Sequence, residues 1–498
     1  MTESLSAEAQ RVFEFAGEEG LFECDAVIIG LSGGPDSVML GEILCELKAL
    51  PDFPKLYAVH VNHNIREEAS HDEAFAGEWA SSHNIPYTAV SYDIPKLSRE
   101  MGRGEEETGR IMRYKAFGQV ADEIPEKNVR IAVAHHKGDI AETMMMNLFR
   151  GSGLDGLVSP VARHGNIIRP LLCLDKEEIL KYLESRGVSY CLDRTNDSEE
   201  YTRNAWRNKI FPLISEYSVK DPQTALWDTY KLLSDDLTLI SKLTNRSFDS
   251  CIVRIKGYPF IDIGSFRNEE CAIRNRVLRR LWEEIFGDLI DFSSVNTEEA
   301  MKIVLSEGHA SRQIDMPFGR ILIRAGGYAT FCKENEIRDL MMNLASYMGY
   351  VVCKDNISVK IECGKTAILP NSHIQIKCEI IENSDELAYN KKSWFYPLYD
   401  DRIPVGITAV NGHLDMKYKN AGSSSSKPLS RLFADRHIPR QAREGIVYLI
   451  LDGEILWIPG IGASCGVVSE KSYDALVRAE DGRIPPRFLR FCIDNGEE

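Results

Sequence analysis

The sequence predicts an α/β protein whose N-terminal part is a doubly wound parallel sheet. Three observations carry that prediction. Apolar runs with strand character at residues 26–30, 55–63, 87–94 and 129–134 alternate with helical patterns, as expected for parallel strands joined by crossover helices. The first run breaks abruptly into Ser32-Gly33-Gly34-Pro35-Asp36-Ser37 and then resumes at helical spacing through Val38, Leu40, Ile43, Leu44 and Leu47. Polar residues collect where the strands should end, namely His60, Asn62, His63, His135 and His136, and in such sheets the ligand crevice lies beyond the carboxyl ends of the strands.

Residues before about Cys24 read as an amphipathic helix with no evident chemistry. The hexapeptide that follows the first strand is an anion-binding loop by composition. Gly33 and Gly34 let backbone approach an anion, Pro35 presets the helix start, and Ser32 and Ser37 add hydroxyls beside the positive end of the helix. No lysine follows the glycines, which separates this loop from the G-x-x-x-x-G-K-[ST] pattern. A glycine-rich turn that binds nothing is the bland alternative. His60 and His63, close to this loop at a strand end, are candidates to line the same nucleotide site; alone, each would read as a histidine satisfied by backbone.

Three further polar clusters follow. In residues 135–143, His-His-Lys-Gly-Asp-Ile-Ala-Glu-Thr, Asp139 and Glu142 share a helical face and suit a cation: Mg²⁺ on ATP, an ammonium group, or both. Helix capping is the structural alternative. Arg110 and Arg113, one turn after Glu106, could hold phosphate or neutralise charge developing in phosphoryl chemistry, or form a solvated ion-paired face. Beyond Asp193-Arg194-Thr195-Asn196-Asp197, residues Tyr201, Arg203, Arg207 and Lys209 combine an aromatic with cations as an RNA-contacting helix would.

A chain of 498 residues is too long for one core, and about three domains are expected. Its formal charge of −16 argues against indiscriminate nucleic-acid binding, so any such partner must meet local basic patches. The 12 cysteines include no C-x-x-C pair, which gives no sign of a zinc ribbon or a cysteine-ligated cluster. The acidic N-terminus and the lack of a long apolar run point to a cytoplasmic protein without a membrane partner.

Ser-Gly-Gly-Pro-Asp-Ser resembles the PP-loop of the N-type ATP pyrophosphatases. Together with the H-V-N-H-x-I-R stretch from His60, the 106–114 helix, H-H-x-x-D-x-x-E-T from His135 and the T-N and Y-x-R-N pairs downstream, the chain resembles the tRNA(Ile)-lysidine synthetases. The resemblance is strong over roughly residues 24–215 and weaker beyond. It implies a PP-loop catalytic domain (1–215), a mostly helical middle domain (216–335), a connecting segment (336–390) and a small α+β C-terminal domain (391–498). The middle domain carries a basic patch of Arg274, Arg276, Arg279 and Arg280; the last carries another that includes Arg440 and Arg443. Residues 410–416 depart from that domain's usual opening, and residues 422–426 read as a flexible insertion.

The resemblance further implies ATP-dependent ligation of free lysine to C2 of the wobble cytidine of tRNA(Ile) with a CAU anticodon, with ATP and Mg²⁺ as cofactors; homodimerisation stays open. In that scheme Ser32, Gly33, Gly34, Pro35, Asp36, Ser37, His60 and His63 bind ATP, and Asp139 and Glu142 bind lysine. Asp36 and Asp139 are metal candidates. Asp36, Arg110, Arg113, Asp139 and Glu142 are catalytic, while Arg203, Arg207, Arg274, Arg279, Arg440 and Arg443 meet RNA. A tRNA-thiolating PP-loop enzyme would activate a base in the same way, but the missing C-x-x-C pairs count against it. An inactive tRNA-binding protein of the same fold is disfavoured by the intact Ser32, Asp36, Asp139 and Glu142.

Overall fold

The structure is a computed structural model that describes residues 5–64, 69–191, 202–287, 289, 292–308, 310–382, 393–398, 403–419, 425–464 and 487–494. Arg66, the 193–201 cluster and residues 422–424 lie outside them. The chain divides into two compact units, Met1–Leu239 and Ile240–Glu498.

In the first unit, α1 (Ala7–Glu18) leads into β1 (Ala26–Gly30), α2 (Pro35–Leu47), β2 (Lys55–Asn62), α3 (Ala69–Ser82) and β3 (Tyr87–Ser91). There follow α4 (Ile94–Met101), α5 (Glu105–Glu123), β4 (Val129–Ala132), α6 (Lys137–Phe149), α7 (Leu154–Leu157), β5 (Arg163–His164), β6 (Ile167–Ile168) and α8 (Lys176–Ser185). Among the described residues these strands form one sheet in the order β3-β2-β1-β4-β6-β5, parallel throughout except for the β5–β6 hairpin. The order reverses at β1, so the crevice at the carboxyl ends of β1 and β4 is the switch point where such sheets bind ligands. Residues 26–29 of β1 are wholly buried, as a strand covered on both faces must be.

Helix α2 is held close to α3 because Gly41 has no side chain: a Cβ there would stand 2.4 Å from the Trp79 ring. The Trp79 indole N–H donates to Glu42 at 2.7 Å, so the ring that fills the gap keeps its polar partner. After α8 come α9 (Thr202–Ala205), a π-helical turn (Trp206–Ile210), α10 (Phe211–Tyr217) and α11 (Pro222–Cys251).

The second unit is built from antiparallel sheets. Strands β7 (Ile252–Ile255), β8 (Tyr258–Asp262), β9 (Arg312–Met316), β10 (Arg320–Ala325) and β11 (Tyr328–Lys333) pair in the order β7-β8-β11-β10-β9. Helices α12 (Ile263–Arg267), α13 (Cys271–Phe286) and α14 (Ser294–Val304) accompany them, and Trp282 of α13 stacks on Phe292 with centroids 4.4 Å apart. The middle region thus carries a sheet as well as its expected helices. Helix α15 (Ile337–Tyr347) follows.

Beyond it, β12 (Ser358–Lys360), β13 (Thr366–Ile368) and β14 (Gln375–Glu382) come from the stretch the sequence left as a connecting segment. Each pairs within the terminal sheets: β14 runs antiparallel to the last strand (Arg487–Asp494), and β12 to the strand Thr408–Val410. Trp394, Trp457 and Phe491 join these sheets into one core.

Candidate active site

The loop after β1 is shaped by its own hydroxyls. Gly33 has φ +88°, a conformation that favours glycine, and Gly34 caps α2 without a side-chain hydrogen bond, with Pro35 at the first helical position. The Ser37 hydroxyl donates to the Gly34 carbonyl at 2.9 Å and accepts from the Ser32 amide at 3.1 Å. The loop is therefore closed on itself with the N-terminus of α2 open to an anion. His60 is buried beneath it, its Nδ1 2.9 Å from the Leu31 carbonyl. Burial lowers its pKa, so it supports the loop as a neutral ring.

Asp36 pairs with Lys176 from the first turn of α8. The sequence shows no lysine after the glycines; tertiary structure brings one from 140 residues away. Nothing in its local pattern marks it beyond its place just after the helix cap Asp175.

Across the switch point, the first turn of α6 is fixed by a reciprocal cap. His136 Nδ1 accepts from the Gly138 amide at 3.0 Å, and Asp139 accepts from the His136 amide at 2.9 Å. The capping role that the sequence offered as an alternative for Asp139 is thus real, and it leaves the other carboxylate oxygen for a cation. Glu142, one turn on, is 2% exposed. The Arg207 guanidinium takes both: its Nε stands 2.7 Å from Glu142 and its Nη2 3.7 Å from Asp139. Burial raises the Glu142 pKa, with Arg207 opposing. For Asp139 burial also pushes upward, but the His136 and His135 rings, the His136 amide and Arg207 hold the carboxyl below its ordinary value. Asp36 adds a weaker attraction to Arg207, behind those of Glu142 and Asp139.

The third wall is basic. Arg110 and Arg113 are both exposed on α5; Arg110 lies over the Tyr114 ring at 5.6 Å, and Arg113 Nη2 is 3.4 Å from His63 Nε2. His135, pushed down to about 4 by burial, feels the charges of Arg169, Arg110 and Arg203. Arg207, expected at RNA, thus stands on the two acids while Arg203 acts on His135, and Arg169 and Lys176 are further charges of the site that no motif marks.

The basic residues of the second unit are partly engaged by the protein itself. Arg279 donates to the Phe292 carbonyl at 2.9 Å, and Arg280 lies over Phe248. Arg276 donates to the Ala272 carbonyl at 3.4 Å, and Arg274 is half-buried. In the last patch Arg440 is exposed, while Arg443 donates to the Ile438 carbonyl and is lowered by burial and by Arg440.

Residues 3–214 match a family described as the PP-loop domain. Over 443 residues the chain is 30% identical to the tRNA(Ile)-lysidine synthase of Caldanaerobacter subterraneus, covering 88% of this chain and 89% of that one. The chain belongs to the tRNA(Ile)-lysidine synthase family. Members from Clostridium perfringens (30% identity, 91% of this chain, 95% of theirs) and Geobacter sulfurreducens (28%, 96% and 98%) are similar along nearly their whole length. Residues 408–478 match the family's described C-terminal domain, the TilS substrate C-terminal domain. Among the described residues no helix is long and apolar enough to cross a membrane.

Proposed function

We propose that this chain uses ATP to join free lysine to C2 of the wobble cytidine of tRNA(Ile) with a CAU anticodon, giving lysidine, AMP and pyrophosphate. The observation that carries this reading is the pair Asp139 and Glu142 gripping a side-chain cation, Arg207, across the sheet's switch point from the phosphate loop. A guanidinium there stands in for the substrate's ε-ammonium.

The cytosine C2 oxygen is a poor leaving group. It therefore attacks the α-phosphate of ATP, forming an adenylate and releasing pyrophosphate. The ε-amine of lysine then attacks C2, and AMP leaves with the oxygen. Ser32, Ser37 and the Gly33 and Gly34 amides hold pyrophosphate at the α2 N-terminus. Lys176 neutralises charge beside Asp36, replacing the lysine that other phosphate loops carry within the loop itself. Arg110 and Arg113 offset charge on the phosphoryl oxygens as they develop.

Glu142, a stronger base than an ordinary glutamate because burial raises it, receives the ammonium and takes its proton. The oxygen donors Asp36 and Asp139 fit Mg²⁺, which would screen the triphosphate oxygens when bound. Half-buried Arg203 and exposed Arg440 favour RNA phosphates despite the net charge.

The deciding experiment incubates unmodified tRNA(Ile) with the protein, ATP and isotopically labelled lysine, then measures nucleoside masses. Labelled lysidine at the wobble position is expected. An unaltered cytidine, or a sulfur-bearing base, would overturn the reading.

A further inference from the structure

A second cluster of metal-ligating side chains lies on the far side of Gly33 and takes no part in the chemistry above. His71 and Asp72 are in the first turn of α3, and Cys191 follows α8 by six residues. One ligand atom from each falls within 4.8 Å of the other two: Cys191 Sγ is 4.0 Å from His71 Nδ1, and that nitrogen is 4.0 Å from Asp72 Oδ1. From this geometry we infer that His71, Asp72 and Cys191 form a three-ligand site for a borderline divalent cation, zinc or cobalt, with water completing a tetrahedron.

The donor set is what such an ion takes: one thiolate, one imidazole and one carboxylate. Tetrahedral bonds of about 2.3 Å to sulfur and about 2.0 Å to nitrogen or oxygen place the ligand atoms roughly 3.3–3.6 Å apart. The two His71 distances of 4.0 Å are therefore about half an ångström longer than a bound ion needs, and the His71 side chain, 78% exposed, can shorten both. Magnesium is disfavoured because it demands oxygen donors.

The site's place gives it a consequence for the loop. The Cys191 amide donates to the Gly33 carbonyl at 2.9 Å. A Cβ built on Gly33 would meet Cys191 Sγ at 3.4 Å, Phe75 at 3.5 Å and the Asp72 carbonyl at 3.7 Å. The first turn of α3 and residue 191 thus already clasp the one loop residue whose φ is positive, and a cation bridging them would brace the phosphate loop from behind.

Cobalt(II) titration of the full, reduced, metal-free chain tests the inference, because a thiolate ligand produces a near-ultraviolet charge-transfer band that nitrogen and oxygen donors do not. The wild type is expected to bind one equivalent with that band, and zinc to displace it. Cys191→Ala should abolish the band. His71→Ala, a change at an exposed side chain, should keep the fold and weaken binding at least about tenfold. Zinc should also slow hydrogen exchange of the amide of residue 191 in the wild type and not in His71→Ala. No band in the wild type, or a band retained in Cys191→Ala, would overturn the inference. Lysine-ligating activity need not be measured, so failure here is separate from failure of the proposed reaction.

Discussion

Ser37 illustrates how one hydroxyl serves both shape and binding. It ties the Gly34 carbonyl to the Ser32 amide and hydroxyl, so Ser37→Ala removes three internal hydrogen bonds along with any contact to pyrophosphate. A raised KM for ATP is expected, with stability lower by about 1 kcal/mol and tRNA affinity nearly unchanged. Steady-state kinetics at saturating tRNA, with a parallel denaturant melt, check this; an unaltered KM would exclude the hydroxyl from the nucleotide site. Glu142 separates the two halves of the reaction. Glutamine keeps the shape and one acceptor for Arg207 but not the charge, so Glu142→Gln should still release pyrophosphate while its lysine requirement rises tenfold or more. Loss of pyrophosphate release at saturating ATP and tRNA would assign Glu142 to adenylation.

At the scale of elements, the close approach of α2 and α3 rests on Gly41. Alanine is the better helix former by up to about 1 kcal/mol, yet its Cβ would enter the Trp79 ring, and overpacking costs about 1–3 kcal/mol. Gly41→Ala is therefore expected to destabilise the first unit, by about 1 kcal/mol, in urea denaturation; a stabilised variant would mean that Trp79 moves freely. The elements of the first unit were legible because each strand is a short apolar run and each following helix has its own period. The strands of residues 358–382 were not, since their partners are residues 408–410 and 487–494, and alternation in a half-buried strand does not state what it pairs with.

For the whole molecule, a net charge of −16 means that RNA must be met by local cations. Each neutralised phosphate contributes roughly 0.7–0.9 to the slope of log affinity against log salt. Replacing Arg440 and Arg443 together by alanine should flatten that slope by about 1.5 and weaken tRNA(Ile) binding. An identical slope would remove this face from the RNA contact. Arg280 is a poorer candidate for the same experiment, because its guanidinium covers Phe248 and donates to Asn245.

By itself, the sequence determined the α/β class, the phosphate loop, the carboxylate pair on one helical face and the family, since these depend on spacing within a few turns. Only the tertiary structure decided which cation each acid meets. Arg207 reads as an RNA contact in its own helix, yet it stands on Glu142 from 65 residues away. Lys176 reaches Asp36 from α8, and Cys191 comes against His71 and Asp72 across 120 residues. Local patterns record the faces that elements present. Partners that distant are set by how the crossover helices pack on the sheet, and no periodicity in one segment carries that information.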